Sequence, residues 1–247
     1  MNKTTEEKMR QLRLFGMLRA FQTSKESSSI RYTPDELLSY LIEAEWDDKQ
    51  NRKIHRLLKI ARFRYTASTE EIFFDSDRNI DKNQLIRFSN CDFIKNKESI
   101  LLTGSTGVGK SYIASALGHQ ACNLGYRVLY FNINKLFSKL KILKADGSYL
   151  KEIARIERQD LIILDDFGLK PLDHNNRDAL MEIIEDRHSK RSTIIASQLP
   201  VHQWHEIIGE NTIADAILDR VVHSSHRIVL KGESLRKKKT KLLTENI

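Results

Sequence analysis

The stretch LLTGSTGVGKSY, residues 101 to 112, decides the reading of this chain. Gly104, four residues, then Gly109, Lys110 and Ser111 form the phosphate-loop pattern G-x-x-x-x-G-K-[ST]. Gly104, Gly107 and Gly109 can take backbone angles that a side chain forbids. The N–H groups of Ser105, Thr106, Gly107, Val108, Gly109 and Lys110 can therefore curl around phosphates. A helix opening behind the loop adds its N-terminal partial charge. In such a loop Lys110 reaches the β- and γ-phosphates and the Ser111 hydroxyl ligates Mg²⁺, with Tyr112 completing the expected nucleotide-binding set. Before the loop, SILLT (99 to 103) reads as a buried strand. After it, Ile113, Ala114, Leu117, Gly118 and Ala121 repeat at helical spacing, and Gly125 can end that helix. Strand, glycine-rich loop and helix stand in the required order.

Working outward, further runs of nearly unbroken Ile, Leu and Val follow: RVLYFN (127 to 132), DLIILDD (160 to 166), STIIAS (192 to 197) and HRIVL (226 to 230). Strands buried on both faces have this composition, and the segments between them have crossover length. The expected fold is α/β: a parallel five-stranded sheet with helices on both faces, over residues 79–247. Residues 1–78 read instead as a small all-α domain. TEEKMRQLRLFGMLRAFQTS sets Met9, Leu12, Leu14, Leu18 and Phe21 near one side of a helix, with Gly16 as a weak point. RYTPDELL starts another, with Thr33 as N-cap, Pro34 at the first helical position and Glu36 closing a capping box. A third segment, WDDKQNRKIHRLLKIARFRY, carries the apolar stripe Ile54, Leu57, Leu58 and Ala61, and its other faces carry Lys49, Arg52, Lys53, Arg56, Lys59, Arg62 and Arg64. No acid lies between Asp48 and Glu70. A phosphate-contacting helix is the favoured reading, with Arg52, Lys53, Arg56, Lys59 and Arg62 as DNA-binding candidates; a solvated outer face is the alternative.

Composition agrees with a soluble nucleotide-using protein. The 247 residues are 40% apolar and 30% charged, and the net charge of +8 favours an acidic partner, nucleic acid first. No run approaches a membrane span and the N-terminus has no signal-peptide core, so a cytoplasmic location is the default. Cys91 and Cys122 share no metal or redox spacing.

Phosphate binding alone fits a kinase, a GTPase or a mechanical ATPase. Asp165 ends a buried strand, where open α/β sheets place their ligands, and is expected to hold Mg²⁺ through water. Asp166 beside it can orient and deprotonate an attacking water. Tandem acids suit hydrolysis, and no guanine-reading N-K-x-D string is present. In mechanical ATPases the strand STIIAS would insert between the other two and offer a polar tip to the γ-phosphate, either Ser197 or Gln198.

Taken in order and spacing, GSTGVGKS, LIILDDFG, STIIASQLP, AILDRVVH and GESLRKK resemble the AAA+ helicase-loader and transposition-helper clade typified by DnaC, DnaI and IstB. LRLFGMLRAF and LIEAEWDDKQNRKIHRLLKIARF make the likeness greatest to IstB, the ATP-binding helper of an insertion-sequence transposase. This resemblance implies an ATPase that oligomerises on duplex DNA, with active sites between subunits, and delivers that DNA to an IstA-like transposase. It implies that Arg220 is an arginine finger and Arg236 a second sensor arginine. It further implies a lidless AAA+ domain, and an extra helical element after the second strand on which Lys139, Lys141 and Lys144 meet phosphates or solvent. Asp166 stands where many AAA+ proteins have Glu, which implies slow turnover. A replicative helicase loader is the runner-up and a small-molecule kinase the third reading.

Overall fold

A computed structural model describes residues 2–26, 32–72, 74 and 78–235. Five strands form one sheet in the order β2-β3-β4-β1-β5: β1 (Ser99–Gly104), β2 (Val128–Asn132), β3 (Leu161–Phe167), β4 (Ser192–Ser197) and β5 (Ser225–Leu230). Every neighbouring pair is parallel. β4 lies between β1 and β3, so the strand that follows LIILDD in sequence is inserted beside the phosphate loop. Alternate residues of the central strands feed two cores. Ile100, Leu102, Leu161, Ile163, Ile194 and Ala196 belong to one, and Leu101, Ile162, Leu164 and Ile195 to the other. Such two-sided burial explains why these strands show no polar alternation.

The first core is closed by α4 (Lys82–Ser89), α5 (Asp92–Lys95) and α6 (Lys110–Asn123), together with Leu57, Ala61, Ala67 and Ile72. Burial pushes the thiols of Cys91 and Cys122, both in this core, up to about 12, so they stay protonated. The second is closed by α7 (Ile133–Ala145), α8 (Tyr149–Glu157), α9 (His174–Arg187), α10 (Trp204–Ile208) and α11 (Asn211–Val222). Trp204 is an internal anchor: its ring lies 4.7 Å from that of Phe167 and its indole donates to the Leu199 carbonyl at 3.0 Å. Arg187 is 1% exposed and ties α9 to the end of α8 and the start of β4. It donates to the carbonyls of Ile156, Gln159 and Ser192.

The chain divides into two compact units, residues 1–56 and 57–247. The first holds α1 (Asn2–Gln11), α2 (Phe15–Glu26) and most of α3 (Pro34–Ala61). The capping box forms as the sequence predicts: Glu36 accepts from the Thr33 N–H at 2.7 Å, and the Glu36 N–H donates to Thr33 Oγ1 at 3.3 Å. Three expectations change. The first segment, read as one helix, is two, α1 and α2, because the backbone turns at Arg13 with φ +58, and Leu12 is exposed. The third helical segment is not separate, because α3 runs unbroken for 28 residues. Gly16 is a point of close approach rather than a weak point: a Cβ there would lie 2.2 Å from the Ala44 carbonyl oxygen. The buried Glu45 carboxylate accepts from the N–H groups of Gly16 and Met17 at 2.8 and 3.1 Å, placing an anion at the start of α2.

Candidate functional site

The phosphate loop joins β1 to α6 at the carboxyl edge of the sheet. Gly107 has φ +87, and a Cβ there would meet Ser234 Oγ at 2.1 Å; Gly109 has φ +98, with Arg78 Nη2 2.8 Å from the same virtual atom. Both positions therefore demand glycine by backbone angle, and Gly107 by space as well. Arg78, only 5% exposed, donates to the Val108 carbonyl at 2.7 Å, and the Leu235 N–H donates to the Gly107 carbonyl at 3.0 Å. These two hydrogen bonds brace the loop from outside. Lys110, nearly buried, curls back so that its ammonium donates to the carbonyls of Gly104 and Ser105 at 2.6 and 2.7 Å. The Tyr112 hydroxyl donates to Glu71 at 2.6 Å, so this side chain points to the segment before α4.

The acids of β3 complete the site. Asp165 is 1% exposed and takes hydrogen bonds on both oxygens: Ser111 Oγ donates to Oδ1 at 2.9 Å, and the Tyr130 hydroxyl donates to Oδ2. Burial, then the Asp165 charge and this hydrogen bond, hold the Tyr130 phenol far above its ordinary pKa, so it remains a donor. A register shift between Leu164 and Phe167 bulges the strand at Asp166, whose φ is +61. A bulge of this kind re-aims a side chain, and backbone strain in a non-glycine residue concentrates at functional sites. Asp166 Oδ2 accepts from Asn132 Nδ2, at the end of β2, at 2.7 Å. A hydroxyl and a carboxylate 2.9 Å apart, set beside a glycine-braced cradle, are the hard oxygen donors that suit Mg²⁺ on a nucleoside triphosphate.

Among the sequence-derived candidates, Lys110, Ser111, Asp165 and Asp166 are brought together. Ser197 and Gln198 differ in their partners. The Ser197 hydroxyl is fully buried, donating to the Phe167 carbonyl at 2.8 Å and accepting from the Leu199 N–H at 3.1 Å. Gln198 Oε1 instead accepts from Thr106 Oγ1 in the phosphate loop at 2.6 Å. Arg220 on α11 donates to the Ala216 carbonyl at 2.9 Å and pairs with Glu185 of α9 at 3.4 Å. Arg236 lies outside the described residues. Lys139 pairs with Glu152 at 2.8 Å, Lys144 sits over the Tyr149 ring at 4.9 Å, and Lys141 is exposed.

Along α3, Arg52 pairs with Asp48 at 2.7 Å and with Glu45 at 3.4 Å, so one cation of the basic helix is neutralised locally. Lys53, Arg56, Lys59 and, one residue past the helix, Arg62 are exposed and make no ion pair among the described residues. Three site residues escaped sequence reasoning: Arg64, Arg78 and Tyr130. Arg64 Nη1 lies 3.3 Å from Asp165 Oδ2 and 3.1 Å from Asp166 Oδ2. No local pattern marks it; its only signal is one more cation after a basic helix.

The profile of the family described as IstB-like ATP binding protein matches residues 7–243. The chain belongs to that family. It is 42% identical over 236 residues to an insertion sequence ATP-binding protein, y4pL, of Sinorhizobium fredii, covering 94% of this chain and 96% of that one. It is 39% identical over 204 residues to the ATP-binding protein of insertion sequence IS1162 of Pseudomonas fluorescens, covering 81% and 87%. Among solved structures, the crystal structure of DnaI aligns with a TM-score of 0.59 at 21% identity, covering 72% of this chain and 94% of that one. This last likeness concerns the fold alone, a parallel five-stranded sheet in the order β2-β3-β4-β1-β5. This IstB-like chain is an ATPase, and among its described residues no helix is long and apolar enough to cross a membrane.

Proposed function

We propose that this ATPase assembles on duplex DNA in its ATP-bound form and delivers that DNA to a partner transposase. The observation that carries the proposal is the exposed row Lys53, Arg56, Lys59 and Arg62, which has no acidic partner among the described residues. In a chain of net charge +8 whose relatives are insertion sequence proteins, such a row is suited to backbone phosphates. Phosphate contacts carry no base information, so recognition rests on charge and DNA shape.

In the nucleotide cycle, loop N–H groups from Ser105 to Lys110 hold the phosphates, and Lys110 leaves its carbonyl partners for the β- and γ-oxygens. Ser111 and, through water, Asp165 would hold Mg²⁺, which when bound neutralises charge on those oxygens. Asp166 orients and deprotonates the attacking water. Gln198, reaching the loop through Thr106, acts as the sensor of the γ-phosphate, and Ser197 shapes the turn behind it. Arg220 exchanges Glu185 for the γ-phosphate of a neighbouring subunit, so hydrolysis is completed only in the oligomer; such fingers contribute about 10³- to 10⁵-fold in rate. Asp166 is one methylene shorter than Glu, which keeps turnover slow and the DNA-bound state long-lived.

The test is the mass of complexes formed on a duplex of about 50 base pairs and on a single strand of equal length, long enough for several subunits. Wild type and Arg220→Ala are compared with ATP and with ADP. Large assemblies on duplex only with ATP, and loss of hydrolysis in Arg220→Ala, are expected. Preference for single strands would replace this proposal with a helicase loader, and a nucleotide-indifferent monomer on both DNAs would refute it.

A further inference from the structure

Arg64 stands just beyond the end of α3 and is held in place by its neighbour. The Phe63 ring lies 4.3 Å from that of His119 and edge-on, 6.3 Å away, to that of Tyr130. It packs so closely on α6 that a Cβ at Gly118 would lie 2.5 Å from Phe63 Cε1. Arg62, with φ +57, turns the backbone out of the helix and onto this surface. The result delivers one guanidinium nitrogen to both acids of β3 at once, at 3.3 and 3.1 Å. These acids are adjacent in sequence, and one of them is 1% exposed; like charges so close need a cation. Yet the Arg64 side chain is itself 40% exposed, and in this same position its guanidinium carbon sits 5.6 Å over the partly buried Tyr65 ring, so the guanidinium can leave the acids on its open side without unpacking the core.

We propose that Arg64 is a latch in cis on the metal-binding and water-activating acids, bridging Asp165 and Asp166 until a divalent cation with nucleotide displaces it from them. The guanidinium holds the Asp166 oxygen that an attacking water needs and repels a divalent cation approaching Asp165. As a positioning residue, it ties readiness for hydrolysis to the segment leaving the basic helix. The inference rests on the assignment of the divalent cation to Ser111 and Asp165.

The experiment uses the full chain, wild type and Arg64→Gln and Arg64→Lys, with two readouts independent of turnover. One is Mn²⁺ binding in the presence of a non-hydrolysable ATP analogue, followed by the electron paramagnetic resonance of free Mn²⁺. The other is thermal stability with no ligand and with saturating Mn²⁺ and analogue. The latch predicts that Arg64→Gln tightens apparent Mn²⁺ binding by about 2- to 5-fold, the scale of partly exposed ion pairs. It also predicts that Arg64→Gln lowers the melting temperature of the ligand-free protein only, and that Arg64→Lys, which keeps the charge, restores part of both effects. Equal losses in ligand-free and ligand-bound melting would reduce Arg64 to a packing role. A larger loss in the bound form would make it a phosphate ligand instead. Either result overturns the latch. Asp165→Asn separates the two levels: if wild-type Mn²⁺ binding does not depend on Asp165, the metal assignment falls and the latch with it. If it does and Arg64→Gln changes nothing, the latch alone falls.

Discussion

Replacing Tyr130 with Phe removes one oxygen and leaves the ring, which packs beside Phe63 in a buried position. The transfer energy of the aromatic ring is thus unchanged, and the cost falls on Asp165. That carboxylate is 1% exposed and keeps Ser111 on Oδ1 and Arg64 on Oδ2 after losing the phenol. Hydrogen bonds to charged groups contribute ~1.5–3 kcal/mol, more than neutral ones, because a buried charge left short of donors bears its desolvation. For a unit of residues 57–247, each kcal/mol moves the midpoint by ~2–4 °C, so the expected fall is ~3–12 °C. The assay is thermal unfolding followed by circular dichroism in metal-free buffer, with Tyr149→Phe as the internal comparison. The Tyr149 hydroxyl donates to Glu182, but neither residue is fully buried, so that change should cost ~1 kcal/mol or less. If Tyr130→Phe costs under ~0.5 kcal/mol, or no more than Tyr149→Phe, the phenol is not a donor to a buried charge and the reasoning fails. Hydrolysis should also fall, since one fewer donor then fixes the orientation of Asp165.

Two further predictions follow from the same structure. Changing Lys53, Arg56, Lys59 and Arg62 together to Gln should reduce the salt dependence of duplex binding. The slope of log K against log salt should shrink by about 3 to 4, at roughly 0.9 for each phosphate no longer neutralised. An unchanged slope would place the DNA on another face. Burial holds His119 below its ordinary value of 6.5, against the opposing effect of the Tyr65 backbone. Below that value the unfolded chain takes up a proton that folded His119 resists, so stability declines as pH falls from 6.5 and levels off below the folded value. Solvent screening keeps the slope under the one-proton limit of ~1.4 kcal/mol per pH unit. Urea unfolding between about pH 7.5 and 5.5 should show the decline in wild type and a flatter profile in His119→Gln; parallel profiles would refute it.

What the sequence by itself determined is local. The glycine spacing, Lys110 and Ser111 specify the loop because backbone angles and a following helix are matters of a dozen consecutive residues. Unbroken Ile, Leu and Val runs announce strands buried on both faces, and the tandem acids end one of them. Tertiary structure decided everything that depends on partners far apart in the chain. Arg64 meets Asp165 across 101 residues and Tyr130 meets it across 35, and neither separation leaves a pattern to read. Ser197 and Gln198 are equal polar candidates on paper; only β4 lying between β1 and β3 sends one to the Phe167 carbonyl and the other to Thr106. The left-handed turn at Asp166 needs the register slip between two paired strands, and the close approach at Gly16 needs the two helices that cross there. Local propensity is a sum over neighbours in sequence, whereas the charge balance of a buried site is set by whatever the fold brings within a few ångströms.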